Sequence, residues 1–468
     1  MADAPSHLVP TGLAWIFCGQ QKIGEMRIII VGAGAVGSYL AERLATEGQD
    51  VVVIEDDERR AAELQNTIDA LVISGNGASA HVLEEAGASK ADLLIAVSNS
   101  DGANVLACHT AKELGTATTI ARIEAPEIRE GADRLGVDVI IDPSATAAEE
   151  LVGIVGLGGA SELIHFADGK LAMIGGIVAP NAPITDAPLR ELRARSAEWG
   201  WVVAALVRDG RTIVAHGDTT VRPGDHALVM TTDDHVDGAT RMIGVRKRHI
   251  DRAIVMGGTR LAELTAKEMR RAGLAVVIVE EDEDRCTRLA SRHSGSLVIC
   301  GDPTDPDVLG ELDLGPKDVA IGLTGWDEVN ILACLVAKAS GAGMVIARFN
   351  RISYVSLLSG VGIDAAVSSR LMAASAILRF VRQGKVEQVA TFSDTDAEAI
   401  EMEVADGAEA DGKSLLDLKL PVGVIIGGIS RDGTTFVPDG STVVRAGDHI
   451  IFFSLPRDIK ESAAIFST

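Results

Sequence analysis

Three glycines and one acidic residue near the start of the chain have the types and spacing needed to bind a dinucleotide. Gly32, Gly34 and Gly37 follow the apolar run RIIIV at G-x-G-x-x-G spacing. The first glycine permits a tight turn, the second lets the backbone approach a pyrophosphate, and the third lets helix and strand pack closely. The predicted phosphate loop comprises Gly32, Ala33, Gly34, Ala35, Val36 and Gly37.

Glu55 supplies the second part of this pattern, because it ends the next apolar run, DVVVIE. An acid at this position accepts hydrogen bonds from ribose hydroxyls and repels a 2′-phosphate, which favours NAD over NADP. Asp56 and Asp57 beside it strengthen the repulsion. The alternative is that the glycines only form a tight strand-to-helix turn, but strand, loop, helix and acid together favour nucleotide binding.

A second, weaker copy of the unit lies in the other half of the chain. Gly257 matches the first glycine and Glu280 the ribose acid, whereas Thr259 and Ala262 replace the other two glycines. A self-match that keeps a fixed separation over this span indicates a duplication. The threonine side chain crowds the phosphate approach, although its hydroxyl could bond a phosphate. The second copy is therefore either a weaker ligand site or a structural pseudo-site.

Residues for catalysis are not recognisable in the sequence. No Tyr-x-x-x-Lys, H-E-x-x-H or G-x-S-x-G pattern occurs, and hydride transfer needs an acid or base beside the nicotinamide. His226 and His449 recur at matched positions, but each follows a Gly-Asp turn that enters a strand, which favours a structural role. The sequence predicts no catalytic residue and no metal site.

The elements around these residues form two kinds of repeat. Residues 26–145 and 251–370 alternate short apolar strands with alanine-rich helices, which predicts a doubly wound parallel sheet in each. Residues 199–230 and 421–453 are Val- and Ile-rich with D-G and G-D turns, which predicts small α/β domains with antiparallel hairpins. The predicted divisions are an extension at 1–25, Rossmann-like domains at 26–150 and 251–375, and small domains at 151–250 and 376–468.

Composition limits the classes of partner. The 468 residues carry a formal net charge of −24, so nucleic acid and anionic lipid are poor partners for the surface. The five cysteines are scattered, as is typical of reduced thiols in a cytosolic protein. No apolar run reaches about 18 residues, so we expect no membrane insertion. The 1–25 segment is a poor signal peptide, and we expect either a disordered extension or an upstream start codon.

Several further motifs, taken together, identify a family. They are GAGAVG with Glu55, the GNGAS turn at 75–79, the VSNSDGAN turn at 97–104, IARI around Arg122, and RDG followed by GD-H in both small domains. Over about 26–460 the chain resembles the TrkA family, the cytoplasmic regulatory proteins of bacterial Trk potassium uptake systems. That family has two RCK (KTN) units in tandem, each a Rossmann-like domain followed by a small α/β C-terminal domain.

The resemblance implies a nucleotide-sensing regulator that is not an enzyme. Its ligand would be NAD(H) or ATP/ADP, and it would lie peripherally on the cytoplasmic face of the inner membrane. It would form a homo-oligomer, with a tetramer favoured over a dimer, and dock on a TrkH-type potassium channel. The alternatives are an NAD-dependent dehydrogenase-like oxidoreductase and a sensor of c-di-AMP through the small domains.

The resemblance also places binding residues beyond the loop. Asn76 would face the adenosine part of the ligand, and Asp302 is its counterpart in the second copy. Ser98 and Asn99 would flank the phosphates and the nicotinamide side.

Arginines complete the expected site. Arg122 matches an arginine that can reach nucleotide phosphates, and Arg348 is its counterpart in the second copy. The planar guanidinium gives bidentate, charge-assisted hydrogen bonds to phosphate. The alternative for Arg122 is an ion pair with Glu124 or a surface role.

Overall fold

The computed structural model describes residues 26–195, 200–245, 248–351, 361–381, 386–392, 395 and 397–467. The extension expected at 1–25 lies outside these residues. Four sheets follow one another along the chain, in the order parallel, antiparallel, parallel, antiparallel.

The first sheet has six parallel strands in the order β3-β2-β1-β4-β5-β6. The strand order reverses between β1 and β4, and the crevice above such a point is where open α/β sheets bind ligands. Its strands are β1 (Arg27–Val31), β2 (Asp50–Glu55), β3 (Leu71–Ser74), β4 (Leu93–Ala96), β5 (Thr118–Arg122) and β6 (Val139–Ile141). Its helices are α1 (Ala35–Thr46), α2 (Glu58–Gln65), α3 (Ala80–Glu85), α4 (Asp101–Leu114), α5 (Pro126–Arg129) and α6 (Pro143–Leu157).

Burial explains why the first strand is apolar throughout. Ile28, Ile29 and Ile30 are all fully buried, although successive side chains of a strand point to opposite faces. Helices therefore cover both faces of this sheet, as parallel sheets require.

The second sheet is antiparallel, in the order β10-β9-β11-β8-β7. Its strands are β7 (Glu162–Phe166), β8 (Leu171–Ile177), β9 (Trp201–Arg208), β10 (Arg211–Val214) and β11 (His226–Thr232), with helices α7 (Leu189–Arg195) and α8 (Val236–Met242). Helix α6 runs across the boundary predicted near residue 150. The domain divisions themselves stay a prediction.

The second half repeats this plan. The third sheet, in the order β14-β13-β12-β15-β16-β17, is parallel. Its strands are β12 (Arg252–Met256), β13 (Ala275–Glu280), β14 (Leu297–Cys300), β15 (Asp318–Gly322), β16 (Met344–Arg348) and β17 (Ala365–Val367). Its helices are α9 (Arg260–Arg271), α10 (Glu283–Arg292), α11 (Pro306–Gly310), α12 (Asp327–Ala339) and α13 (Ser369–Val381).

The fourth sheet is antiparallel, in the order β18-β19-β22-β20-β21. Its strands are β18 (Val386–Thr391), β19 (Glu398–Glu403), β20 (Val424–Arg431), β21 (Thr434–Phe436) and β22 (His449–Ser454), followed by helix α14 (Ile459–Phe466). The predicted fold class, two doubly wound parallel sheets each followed by a small domain, is confirmed.

The two halves exchange their last Rossmann helices. Leu151 and Ile154 of α6 are fully buried in one apolar cluster with Val255 and Ile278 of the third sheet. Conversely, Ile377 of α13 is buried in the cluster of the first sheet, against α1. Each parallel sheet is therefore covered on one face by a helix from the other half.

Contacts between the small domains join the halves further. Phe166 and Met230 of the second sheet pack in one apolar cluster with Phe392 and Phe453 from the fourth-sheet region. Ala167 donates its backbone N–H to the buried carboxylate of Glu401 at 3.0 Å.

Candidate functional site

The loop from Gly32 to Gly37, which is predicted to bind phosphate, forms a tight turn between β1 and α1. Gly32 adopts φ +99°, a conformation that favours glycine, and its N–H donates to Ile54 at 2.8 Å. A Cβ at Gly37 would lie 1.8 Å from the Gly32 carbonyl oxygen, so the third glycine is required by packing. A Cβ at Gly34 would meet no atom within 4 Å. The second glycine therefore faces open space.

That open space is at the N-terminus of α1. Gly34 is the N-cap of this helix, and no described side chain caps it. The free N–H groups of a first helical turn carry partial positive charge and form an anion-binding position.

A cavity of about 670 Å³ lies above this helix end, at the reversal point of the first sheet. It is lined by Gly32, Gly34, Ala35, Val36, Glu55, Asn76, Ser98, Asn99, Arg122 and Arg348, among others. The structure thus brings most of the residues predicted from sequence to one place. Ala33, whose side chain is buried, contributes its backbone N–H to Glu55 instead.

Glu55 is buried at the carboxyl end of β2, only 3% exposed. Its Oε2 accepts the N–H of Ala33, and its Oε1 accepts the N–H of Asp57 at 3.1 Å. Arg60 lies 3.7 Å from the same carboxylate. Because a carboxylate can accept about four hydrogen bonds, Glu55 keeps capacity for ligand hydroxyls while the backbone holds it in place.

The turns after β3 and β4 form the opposite wall. Asn76 Oδ1 accepts the N–H of Ala78 at 2.9 Å, so the side chain shapes its own turn. Ser98 Oγ donates to Asn104 Oδ1 at 2.6 Å, and Asn104 Nδ2 donates to the Arg122 carbonyl at 2.9 Å. The fully buried Asn104 thus connects the Ser98 turn to the strand that carries Arg122. Sequence reasoning missed this role, although Asn330 repeats Asn104 in the second copy.

Arg122 lies in the cavity wall and is also ion-paired. Its Nε donates to Glu124 Oε1 at 2.9 Å, which is the alternative considered from the sequence. The two roles are compatible, because a guanidinium has five donors and some remain for a ligand.

Residues of the second half complete the cavity. Arg348, which the sequence assigns to the second copy, lines the cavity of the first copy together with Asn350 and Arg370. Burial lowers the pKa of both arginines, and both have a buried Nε that no described acceptor contacts. Arg370 also lies 5.2 Å from the ring centroid of Tyr39, a cation–π distance.

Sequence reasoning missed Arg60, Asn350 and Arg370 as wall residues. Arg370 stands in the first turn of α13, so its entry into the first cleft depends on the helix exchange. Nothing in the local sequence specifies that exchange.

In the second copy, the Thr259 side chain fills the space at the helix N-terminus that is open in the first copy. Thr259 is the N-cap of α9, and its Oγ1 donates to the Leu323 carbonyl at 2.7 Å. The same oxygen accepts the N–H of Ala262 at 3.3 Å, so the helix end that is open in α1 is capped in α9. Gly257 retains the turn conformation, with φ +115°.

The other second-copy residues repeat the first copy in part. Glu280 is buried, and its Oε1 accepts the N–H of Asp282 at 3.0 Å. Asp302 Oδ1 accepts both the N–H and the hydroxyl of Thr304, at 2.8 and 2.7 Å.

Arg260, next to Thr259, reaches across to the first half. Its Nη2 donates to Asp142 at 2.6 Å and its Nε lies 4.0 Å from Glu124. Asp142 also pairs with Arg129 and caps α6. This ionic cluster fixes the second loop against the first half.

The RDG and GD-H motifs of the small domains have a structural explanation. Arg208 forms two hydrogen bonds with Asp225, at 2.8 and 2.7 Å, and Arg431 forms two with Asp448, both at 2.7 Å. His226 is buried with Nε2 2.7 Å from Ser161 Oγ.

The described residues offer neither a metal centre nor a membrane-spanning helix. They contain no group of three or more His, Cys, Asp or Glu side chains arranged to hold a metal ion. Every helix in the described part of the chain is too short or too polar to span a bilayer.

The chain matches known domain families in sequence and known RCK structures in fold. The TrkA-N domain model matches residues 28–143 and 253–369, and the TrkA-C domain model matches 177–244 and 399–467. Among solved structures, the GsuK RCK domain superimposes with a TM-score of 0.59 at 18% identity, covering 95% of this chain and 96% of that one. The GsuK channel bound to NAD gives 0.58 at 18% identity, covering 95% and 80%. At this identity the likeness concerns the fold.

Curated relatives match nearly the whole chain. The Trk system potassium uptake protein TrkA of Azorhizobium caulinodans is 33% identical over 451 residues, covering 94% of this chain and 98% of that protein. The protein of the same name from Vibrio alginolyticus is 32% identical over 439 residues, covering 92% and 95%. These matches confirm the resemblance inferred from the motifs. With its two TrkA-N and two TrkA-C domains, the chain belongs to the TrkA family of Trk system potassium uptake proteins.

Proposed function

We propose that this protein is the nucleotide-binding regulatory subunit of a Trk-type potassium uptake system and has no catalytic activity of its own. The observation that carries the proposal is the uncapped N-terminus of α1 at Gly34, which opens into a cavity walled by arginines from both halves. Family membership supplies the biological context.

The ligand is NAD(H) or ATP/ADP, held with its phosphates at the α1 N-terminus. Glu55 accepts ribose hydroxyls, and the turn at Asn76 faces the adenosine part. Arg122 and Arg348 approach the phosphates from two sides. A guanidinium group forms strong, charge-assisted hydrogen bonds with phosphate oxygens. The fold neighbour GsuK has structures bound to NAD and to ADP, which is compatible with this ligand class.

Regulation suits the cavity better than hydride transfer does. Among the described residues that line it there is no His, Lys, Tyr or Cys. Its carboxylates, at Glu55, Asp56 and Asp57, lie together at the end of β2. A dehydrogenase-like enzyme would need an acid or base at the opposite, nicotinamide end.

The mechanism is unequal binding to two conformations. A ligand shifts an equilibrium only if its affinity differs between the states. Because the wall contains Arg348 and Arg370, a bound nucleotide contacts both halves of the chain and can change their relative position. The hinge is expected where the large and small domains meet, around 144–165 and 370–387.

The partner is a TrkH-type potassium channel in the inner membrane. The protein docks on its cytoplasmic face as a peripheral subunit, in a homotetramer that carries eight RCK units. Coupling of about 1–3 kcal/mol between nucleotide and channel is sufficient to change opening several-fold. By linkage, the channel changes nucleotide affinity by the same factor.

Calorimetric titration with NAD, NADH, ATP and ADP tests the site. Gly34→Val fills the open space and should abolish binding at the first loop. Gly156→Val is the matched control, since a Cβ there also meets nothing within 4 Å but the residue lies in α6, outside the cavity wall. Unchanged affinity in Gly34→Val would refute the assignment.

Potassium flux tests the function. When the protein is reconstituted with its channel, the potassium flux through the channel should differ with and without the nucleotide that binds. The Gly34→Val variant should lose this response. Flux that ignores every nucleotide shown to bind would exclude gating. Reduction of bound NAD by an added 2-hydroxy acid, or oxidation of bound NADH by an added 2-oxo acid, would favour the enzyme instead.

A further inference from the structure

Two thiols lie side by side at the carboxyl edge of the third sheet. Cys286 is in α10 and Cys300 is the last residue of β14. Their sulfur atoms are 2.7 Å apart, against about 2.05 Å in a disulfide. Cys286 Sγ also lies 3.1 Å from the carbonyl oxygen of Glu280, the residue whose carboxylate corresponds to the ribose acid.

The first copy shows that the fold does not require this pair. Strand pairing aligns Glu280 with Cys300 and, in the first copy, Glu55 with Ser74. Ala61 holds the position of Cys286, since α2 and α10 are capped by equivalent aspartates. The thiol pair is therefore a property of the second copy alone.

The two thiols differ in accessibility. Cys300 is exposed, whereas Cys286 is buried, and burial raises the pKa of the Cys286 thiol above its usual value. Cys300 is thus the thiol that meets a reagent from solvent, and Cys286 stands directly behind it.

We propose that Cys286 and Cys300 form a reversible dithiol–disulfide pair that is oxidised by hydrogen peroxide or an organic hydroperoxide. The Cys300 sulfur attacks one peroxide oxygen and the O–O bond breaks. Water (or an alcohol) is released, and Cys300 becomes a sulfenic acid. The Cys286 sulfur then attacks that sulfur, the S–O bond breaks, and a second water leaves. Two thiols are oxidised, one peroxide is reduced, and a thiol reductant reverses the reaction.

The disulfide would restrain the turn that follows β14. Cys300 immediately precedes the turn at 301–305, which is shaped by hydrogen bonds between Asp302 and Thr304. The matching turn at 75–78 lines the first-copy cavity. Oxidation joins this turn to α10 and limits its movement. The redox chemistry of the pair does not depend on the proposed nucleotide ligand.

A metal site is the weaker use of the same sulfurs. Two thiolates satisfy half of a tetrahedral zinc site, and the described residues place no third His, Cys, Asp or Glu with them as a metal-binding group.

The test uses the full chain with Cys18→Ser, because Cys18 lies outside the described residues. The reduced protein is exposed to hydrogen peroxide, remaining thiols are trapped with a maleimide, and intact mass and peptide maps are measured. We expect the loss of two hydrogen atoms, a peptide joining Cys286 to Cys300, and full reversal by dithiothreitol. Cys108 and Cys334, both buried with thiol pKa raised to about 12, should stay reduced.

Each matched variant replaces one cysteine by the residue at the equivalent position of the first copy, Ala61 or Ser74. Cys286→Ala should leave Cys300 as a sulfenic or sulfinic acid, and Cys300→Ser should leave Cys286 reduced. Hydrogen exchange at 301–305 should slow on oxidation of the unsubstituted pair and be unaffected in either variant.

Three results would overturn the proposal. The first is Cys300 oxidised to sulfinic acid while Cys286 is still alkylated by the maleimide. The second, unchanged exchange at 301–305 after the cross-link has formed, would overturn the restraint of that turn by the disulfide. The third is one equivalent of Zn²⁺, added alone, that is retained by the reduced pair and prevents cross-linking.

Discussion

Gly34 and Gly37 belong to one motif, but the structure requires them for different reasons. Gly37 is glycine because the carbonyl of Gly32 occupies the space of its Cβ, and Gly34 because the space beside it is open for something outside the protein. A single substitution at each position therefore separates folding from binding.

Gly37→Ala should destabilise the protein and Gly34→Ala should not. The added methyl at residue 37 would lie 1.8 Å from a backbone oxygen, so helix and strand must separate, at a cost of at least about 2 kcal/mol. The midpoint of urea unfolding without ligand measures the difference. Equal midpoints for the two variants would contradict it.

Glu150 predicts a pH dependence of stability. Its Oε2 is buried, with no partner among the described residues, and burial together with the charge of Glu162 raises the pKa of Glu150 from 4.5 to about 8. Ser368 and Thr391 line the same small cavity, and His226 lies close to Glu162 beside Gly175. As the pH rises, the Glu150 carboxyl loses its proton in the unfolded chain before it does so in the folded protein. The free energy of unfolding therefore falls between about pH 4.5 and 8.

Glu150→Gln should remove that decline. The variant should match the unsubstituted protein near the lower pH and exceed it by about 4 kcal/mol at pH 8. Urea unfolding across this range is the measurement. A stability difference that does not vary with pH would show that Glu150 is not the titrating group.

At the scale of elements, α1 and α9 begin after the same turn and differ in one capping oxygen. The Thr259 hydroxyl caps the first turn of α9, whereas no side chain among the described residues caps the first turn of α1. A helix terminus that is already satisfied offers less to a phosphate. The copies should therefore bind nucleotide unequally.

Thr259→Gly should raise nucleotide affinity at the second loop. Replacing a threonine cap by glycine costs only a few tenths of a kcal/mol in helix stability, so the variant should remain folded. Calorimetry on the Gly34→Val background isolates this loop, and Thr259→Ser, which keeps the hydroxyl, is the control. Identical isotherms for Gly and Ser at residue 259 would argue against the cap as the cause.

Most of the elements were predictable because the information is local. Apolar runs of four to six residues, glycine at sharp turns and an acid at the end of β2 each report on their own surroundings. The presence of Arg348 and Arg370 opposite Arg122 in the cavity wall was not predictable in this way. Both copies carry similar apolar helix faces, so the pattern of α6 does not reveal which sheet it covers, and the positions of Arg348 and Arg370 follow from that choice.

For the whole molecule, helix exchange predicts that damage in one half appears in the other. Leu151→Ala removes a fully buried side chain of α6, which should cost about 2–5 kcal/mol. Hydrogen exchange should accelerate mainly in β12 and β13, and Ile377→Ala in α13 should accelerate it in β1 and β2. Loss of protection confined to the first sheet in the Leu151 variant would be evidence against the exchange.

The exchange also has a consequence for synthesis on the ribosome. The first sheet is complete when Ile141 has been made, but its covering helix ends at Val381, about 240 residues further along. At roughly 5–20 residues per second, one apolar face of the nascent sheet stays open for roughly 10–50 s. During that interval the same helix of a neighbouring nascent chain can occupy the face. Translation speed and the spacing of ribosomes on the messenger therefore influence whether the helices are exchanged within one chain or between two.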